Sequence, residues 1–157
     1  MEGSLRAVFR EFCFPVGVLT TKVIKNEGVL TVGDLRGCTI TSFRIVNDSI
    51  CSFSLGKSRL MTSALGTDFA FHFLHQGQQR LASKFSVNNL SSVDQFANES
   101  FSSNGLFPEF HDFHSLITGK VMQRLEVGEA YFYIAEIKQA TVNTNKILLH
   151  YTQAKFV

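Results

Sequence analysis

Residues 36–46 read RGCTITSFRIV. Small, β-branched and aromatic side chains follow one another here without a helical period, so the run reads as a strand. Its GCTITSF portion carries hydroxyls on Thr39, Thr41 and Ser42. Inside a folded protein each hydroxyl needs a hydrogen-bond partner, and an unmet one costs stability. The partner is either the protein itself or something bound to it.

Outward from this run, Asn47-Asp48 marks a turn and residues 49–55 (SICSFSL) form the next strand. Upstream, residues 16–24 (VGVLTTKVI) make a β-branched strand, with KNEG at 25–28 as its turn. VLTV is a second β-rich run, and GDLRG at 33–37 is another turn signal. Leu5, Val8, Phe9 and Phe12 share one face at helical spacing, which predicts an amphipathic helix over residues 4–13 that ends before Pro15. Downstream, a short helix starts near Ser58 and residues 68–74 (DFAFHFL) alternate as a strand. Residues 77–86 read as a helix packing through Leu81 and Phe85. Residues 87–113 are polar with scattered Phe and read as a long connection, a candidate flap. Strands at 115–125, 131–142 and 147–151 close the chain. About seven strands and three helices with hairpin-like links predict a single mainly β domain over residues 1–157. Its expected form is a closed or nearly closed antiparallel barrel with a few flanking helices.

A length of 157 residues suits one domain. With 45% hydrophobic and 18% charged residues the chain can bury a full core, and 16 Phe against no Trp make that core Phe-rich. A net charge of +2 without a basic cluster argues against nucleic acid or an anionic membrane as partner. Cys13, Cys38 and Cys51 are odd in number and widely spaced, which excludes a complete intramolecular disulfide set and a zinc site built on Cys pairs. No apolar run reaches the roughly 20 residues of a membrane span. The charged, amphipathic start MEGSLRAVFREF lacks a secretory core. A soluble, reduced, cytoplasmic protein is the expectation.

The spacings GxGxxG, P-loop, GxSxG and HExxH are absent. His72 and His75 sit three apart at the end of a strand pattern, where that spacing puts them on opposite faces. His111-Asp112-Phe113-His114 offers nitrogen and oxygen donors in a loop, yet no third or fourth ligand is evident, so no metal site is expected. GKSR at 56–59 is the better lead. Gly56 allows close approach, Lys57 and Arg59 bring charge, and Ser58 sits at a helix start; together they make a phosphate cradle. The same residues also read as an N-capped, solvated turn.

Taken in order, several segments resemble the flavin reductase-like, FMN-binding split-barrel family. FREFCFPVGVLTTK (9–22) is similar to its opening helix-to-strand run, and DLRGCTITSF (34–43) to its G-M-T-V-N-S-F flavin segment. SLGKSR (54–59) resembles its strand end and S-x-T loop, QRLASKFS (79–86) its Q-x-x-L-A-x-x-F segment, and ILLHYTQAKF (147–156) its closing L-L-Y-H-x-G-x-Y strand. The resemblance implies a homodimer of split β-barrels with FMN or FAD at the subunit interface. It also implies oxidation of NADH or NADPH and delivery of reduced flavin to a partner monooxygenase. Thr39, Ile40, Thr41 and Ser42 would then lie along the isoalloxazine and ribityl chain, with Leu55 and Gly56 at the strand end beside them. Lys57, Ser58 and Arg59 would meet the phosphate, and Lys84, Phe85 and Ser86 would close the pocket. His150 and Tyr151 fall on the nicotinamide side. Chemically this is sound: strand amides and short hydroxyls reach the flavin edge, and cations meet phosphate.

The departures cluster. Gly128-Glu129-Ala130 stands where the family often has G-D-H, so the imidazole is missing. The closing Y-H becomes His150-Tyr151, and one residue in a strand means the opposite face. Cys38 replaces a common Met, and the S-x-T threonine gives way to Leu60 or Met61. These losses fall mainly on the nicotinamide side, while the flavin segment is better kept. Two other functions stay open: a non-catalytic flavin- or haem-type binding module, and an interaction protein with no ligand.

Overall fold

The computed structural model describes residues 2–23, 34–59, 61–103, 106–143 and 145–157. Helix α1 (Glu2–Glu11) leads into β1 (Phe14–Pro15), β2 (Gly17–Lys22), β3 (Leu35–Ile40), β4 (Arg44–Ile45) and β5 (Ile50–Gly56). Then come α2 (Met61–Ala64), β6 (Asp68–Phe73), a 3-10 turn (Gln76–Gln78), α3 (Gln79–Phe85) and α4 (Ser92–Phe96). A small hairpin of β7 (Phe101–Ser103) and β8 (Pro108–Phe110) precedes the long β9 (Ser115–Val127) and β10 (Ala130–Val142). The chain ends in β11 (His150–Thr152) and β12 (Lys155–Phe156).

Seven strands form one antiparallel sheet in the order β3-β2-β6-β9-β10-β5-β4. The two-residue strand period divides its side chains into two cores. One face gathers Leu19, Ile40, Phe53, Phe71, Ile117 and Tyr133 into a cluster fed by every long strand, so the sheet wraps around it. Aromatic rings fill that core, as the Phe count suggested: Phe43 stacks on Phe71 at 4.1 Å and Phe53 on Tyr133 at 5.0 Å. On the other face, Val18 and Leu35 pack against Leu81 and Phe85 of α3 and Phe96 of α4. β2 is therefore buried on both sides.

Several expectations change. RGCTITSFRIV is two strands, because the chain bends at Thr41 and crosses from one sheet edge to the other before β4 begins. Leu35, Arg36 and Gly37 of the GDLRG segment already belong to β3. The turn at 25–28 and the VLTV run lie outside the described residues. The expected closed barrel is not closed by its ladder: among the described residues no strand pairing joins β3 to β5 or β4. The candidate flap at 87–113 is packed chain, in which Phe96, Phe107 and Phe110 are buried. Ser91 caps α4 by accepting from the Asp94 amide at 3.1 Å, an S-x-x-D start that the polar composition obscured. The apolar face of α1 is uncovered, as is Phe12 just after it, with Phe9 55% and Phe12 50% exposed.

Burial also settles two histidines. His72 is fully buried; its Nδ1 lies 3.2 Å from the Val18 carbonyl and its Nε2 accepts from the Phe110 amide at 3.1 Å. A carbonyl accepts and an amide N–H donates, so the ring is the neutral Nδ1–H tautomer, tying β2 and β6 to β8. Burial holds its pKa down at about 4. His75 instead turns outward, its Nε2 2.8 Å from an Asp112 carboxylate oxygen. Because the folded pKa of His72 is depressed, its contribution is intact above the ordinary value near 6.5 and is lost as pH falls toward 4. Urea titrations at pH 7 and pH 4 are expected to show roughly 3 kcal/mol of acid destabilisation from this group. His72→Asn, with no proton to take up, should have a correspondingly shallower pH dependence; equal slopes in both proteins contradict the assignment.

Candidate functional site

The hydroxyls of GCTITSF have separate fates. Thr39 Oγ1 donates to the Ala82 carbonyl of α3 at 2.7 Å. Ser42 Oγ donates to the Ser54 carbonyl at 3.0 Å and accepts from the Ser54 amide at 3.1 Å, so one side chain satisfies both backbone groups of a β5 residue. Ser42 thus stands in for the strand missing between β3 and β5. Thr41 makes no side-chain hydrogen bond among the described residues.

Farther up the same edge, Gln95 does for β3 what Ser42 does for β5. The Gly37 amide donates to Gln95 Oε1 at 3.1 Å, and Gln95 Nε2 donates to the Gly37 carbonyl at 2.9 Å. Gly37 therefore turns its backbone polar groups away from β2, and the ladder's alternation turns those of Thr39 the same way. Beyond the reach of Gln95, this edge faces a groove.

The groove, of about 620 Å³, runs along the open seam. Thr39, Ile40, Thr41 and Ser42 form one wall, and Ser54, Leu55 and Gly56 the other. Ser58, Arg59 and Ser86 border it, together with Tyr151 and Phe156, whose rings contact each other at 5.5 Å. A second hollow of about 510 Å³ shares Thr41, Ser42 and Tyr151 with the first and continues to Phe9, Phe12 and Phe14, with Arg6, Arg10 and Arg44 around it. Arg44 braces the bend between them, donating to the Thr41 and Phe43 carbonyls at 3.1 and 2.8 Å.

The remaining predicted residues stand outside the groove's lining. Lys57 pairs with the Glu126 carboxylate of β9, which raises the lysine pKa and lowers that of the acid. Lys84 is held by Glu99 Oε1 at 3.0 Å and the Ala97 carbonyl at 2.8 Å. Phe85 is core, set edge-on against Phe96 and Phe110. His150 pairs with Pro15 and leaves the groove to Tyr151, its opposite-facing neighbour. Ala130, which brings a methyl group in place of an imidazole, pairs with Gly56 just after the Gly128 turn, whose φ of 56° suits glycine. His111 Nδ1 lies 2.7 Å from Ser100 Oγ and His114 Nδ1 2.6 Å from Ser115 Oγ, so the loop histidines have separate partners.

Ser54, Phe156 and the α1 residues were missed. Ser54 opens the SLGKSR segment but reads like any strand serine until its partner is known. The α1 residues looked like a face waiting for the core.

The groove fits a flat, polar-edged anion. Its volume lies within the roughly 300–1,000 Å³ of small-molecule sites. Thr41 has an unused hydroxyl, Thr39 an outward backbone edge, and Arg59 a cation at the border.

The family model for the flavin reductase like domain matches residues 9–156. Among solved structures, the chain is similar to the NADH:FAD oxidoreductase SgcE6 of Streptomyces globisporus C-1027, with a TM-score of 0.83, 23% identity, and coverage of 99% of this chain and 92% of that one. A flavin reductase from Haemophilus somnus 129PT superposes with a TM-score of 0.87 at 15% identity, covering 100% and 98% of the two chains. The styrene monooxygenase flavin reductase of Pseudomonas putida S12 gives a TM-score of 0.79 at 18% identity, with 98% and 96% covered. No curated protein matches by sequence.

Proposed function

This chain belongs to the flavin reductase-like family, and from that premise we propose that it is an NAD(P)H:flavin oxidoreductase acting on FMN or FAD. The observation that carries the reading is the groove, where Thr39, Ile40, Thr41 and Ser42 meet Ser58 and Arg59 across an unclosed seam. Bound flavin supplies a two-electron acceptor for hydride from the reduced nicotinamide.

The chain's own part is positioning. Thr39 and Thr41 offer a backbone edge and a hydroxyl to the ring's polar rim. Arg59 and Ser58 receive the phosphate. Tyr151 and Phe156 present aromatic surface, which the adjoining Phe9, Phe12 and Phe14 hollow extends. Hydride transfer depends on holding the two rings together more than on a proton-transfer residue, so Ala130 in place of an imidazole is compatible with turnover.

We also propose a homodimer, supported by the uncovered Phe9 of α1 and Phe12 just after it, and by Met122 and Val127 on the β9–β10 hairpin, each 61% exposed. A cytoplasmic location is consistent with this reading; no helix among the described residues is long and apolar enough to cross a membrane. Release of reduced flavin to a monooxygenase would follow from an open groove.

Purified protein mixed with free FMN or FAD and NADH or NADPH is expected to consume the nucleotide, followed at 340 nm, and to run at twice the chain mass in light scattering. Flavin retained without turnover by either nucleotide would instead favour a binding module, the reading supported by Ala130 and by the position of His150. Neither flavin binding nor turnover rules out both.

A further inference from the structure

Arg36 and Cys38 lie two apart on β3 and so share one side of the strand. Both side chains act on the segments that carry the groove's anion end. Arg36 Nη1 donates to the Leu90 carbonyl at 2.7 Å and Nη2 to the Asn88 carbonyl at 3.2 Å. Asn88 Nδ2 in turn donates to the Ser58 carbonyl at 3.0 Å. Cys38 Sγ accepts from Arg59 Nη2, while Arg59 Nη1 donates to the Ser86 carbonyl at 3.3 Å. Among the described residues no carboxylate pairs with Arg59.

We propose that Cys38 is a positioning residue for phosphate recognition, its sulfur and the Ser86 carbonyl fixing two arms of the Arg59 guanidinium. The other N–H groups of the fork are then left for an anion in the groove. This rests on reading the groove as a flavin phosphate site. Sulfur suits the task because it accepts a hydrogen bond without cancelling charge. Cys38 is only 3% exposed, and burial raises its pKa despite the nearby arginines, so it stays a neutral thiol. An acidic residue here would hold Arg59 equally well and neutralise it. Holding the fork in one orientation also removes side-chain entropy that binding would otherwise cost.

The test compares FMN with riboflavin, which lacks the phosphate, by fluorescence titration of the full chain. Cys38→Ala is expected to raise the FMN Kd about 5–10-fold and to leave riboflavin within about 2-fold. Cys38→Ser, whose hydroxyl still accepts from Arg59, should restore most of the loss. Cys38→Val, which fills the site without an acceptor, should behave as Cys38→Ala does and serves if the smaller residue lowers the melting temperature. Equal weakening of both ligands overturns the proposal, since that is what general loosening of β3 produces. A wild-type FMN preference unchanged in Cys38→Ala and Cys38→Val also overturns it, while the groove reading survives. If the wild type binds both flavins equally, the phosphate reading fails and the proposal with it.

Discussion

Gly37→Ala is expected to destabilise the protein by about 4 kcal/mol. A Cβ at this position would sit 2.5 Å from two ring carbons of Phe85. That ring is 1% exposed and set against Phe96 and Phe110, so it has nowhere to go. Overpacking of this kind costs roughly 1–3 kcal/mol. The rest comes from Gln95: pushing β3 away from the helices pulls the Gly37 amide and carbonyl out of their two buried bonds, each worth about 1 kcal/mol. Such a loss is a large part of the roughly 5–15 kcal/mol that holds a typical domain. The melting temperature should fall by more than about 8 °C. A shift under about 2 °C would mean that α3 and α4 move aside freely and that Gln95 contributes little.

Arg59→Ala is expected to weaken FMN binding about 100-fold and leave riboflavin nearly unchanged. The guanidinium borders the groove at its anion end and, among the described residues, has no carboxylate partner, whereas Lys57 lies outside the lining and is engaged by Glu126. In steady-state assays the KM for FMN should rise by a similar factor while kcat at saturating flavin changes little, the pattern of lost ground-state binding. Raising salt should weaken FMN binding to the wild type more than to the variant. Lys57→Ala is the control, with only a small change expected. If Lys57→Ala instead has the larger effect, the ion pair with Glu126 opens on binding and the assignment of the two cations must be exchanged.

Much of the sheet was legible because its strands obey simple periods. DFAFHFL alternates, and it and the two long C-terminal runs each form a strand within about two residues of the expected ends. What stayed hidden depends on long-range partners. Nothing local distinguishes Gln95, in a polar stretch, from a solvated glutamine; only β3's bare edge gives it a role. Phe85 and Ser86 are neighbours in one motif, yet helical geometry sends Phe85 into the core and leaves the Ser86 carbonyl to Arg59. Cys38 reads only as a replacement for a common Met, and its contact with Arg59 spans 21 residues of chain. The displaced His150, by contrast, was readable from parity alone: one step along a strand reverses the face, and Tyr151 took the groove.

The Ser42–Ser54 clasp has a mechanical consequence. A tube slit along its length still resists bending but gives up most of its stiffness in torsion, because its two lips can slide past each other. β3 and β5 are such lips, and the Ser42 hydroxyl limits their slip at this point. A rigid planar ligand wedged between them acts as a shear key. Ligand-free protein should therefore be soft in twist, and each occupied groove should stiffen the shell, adding about 2.7 kcal/mol to folding at a ligand concentration 100 times Kd.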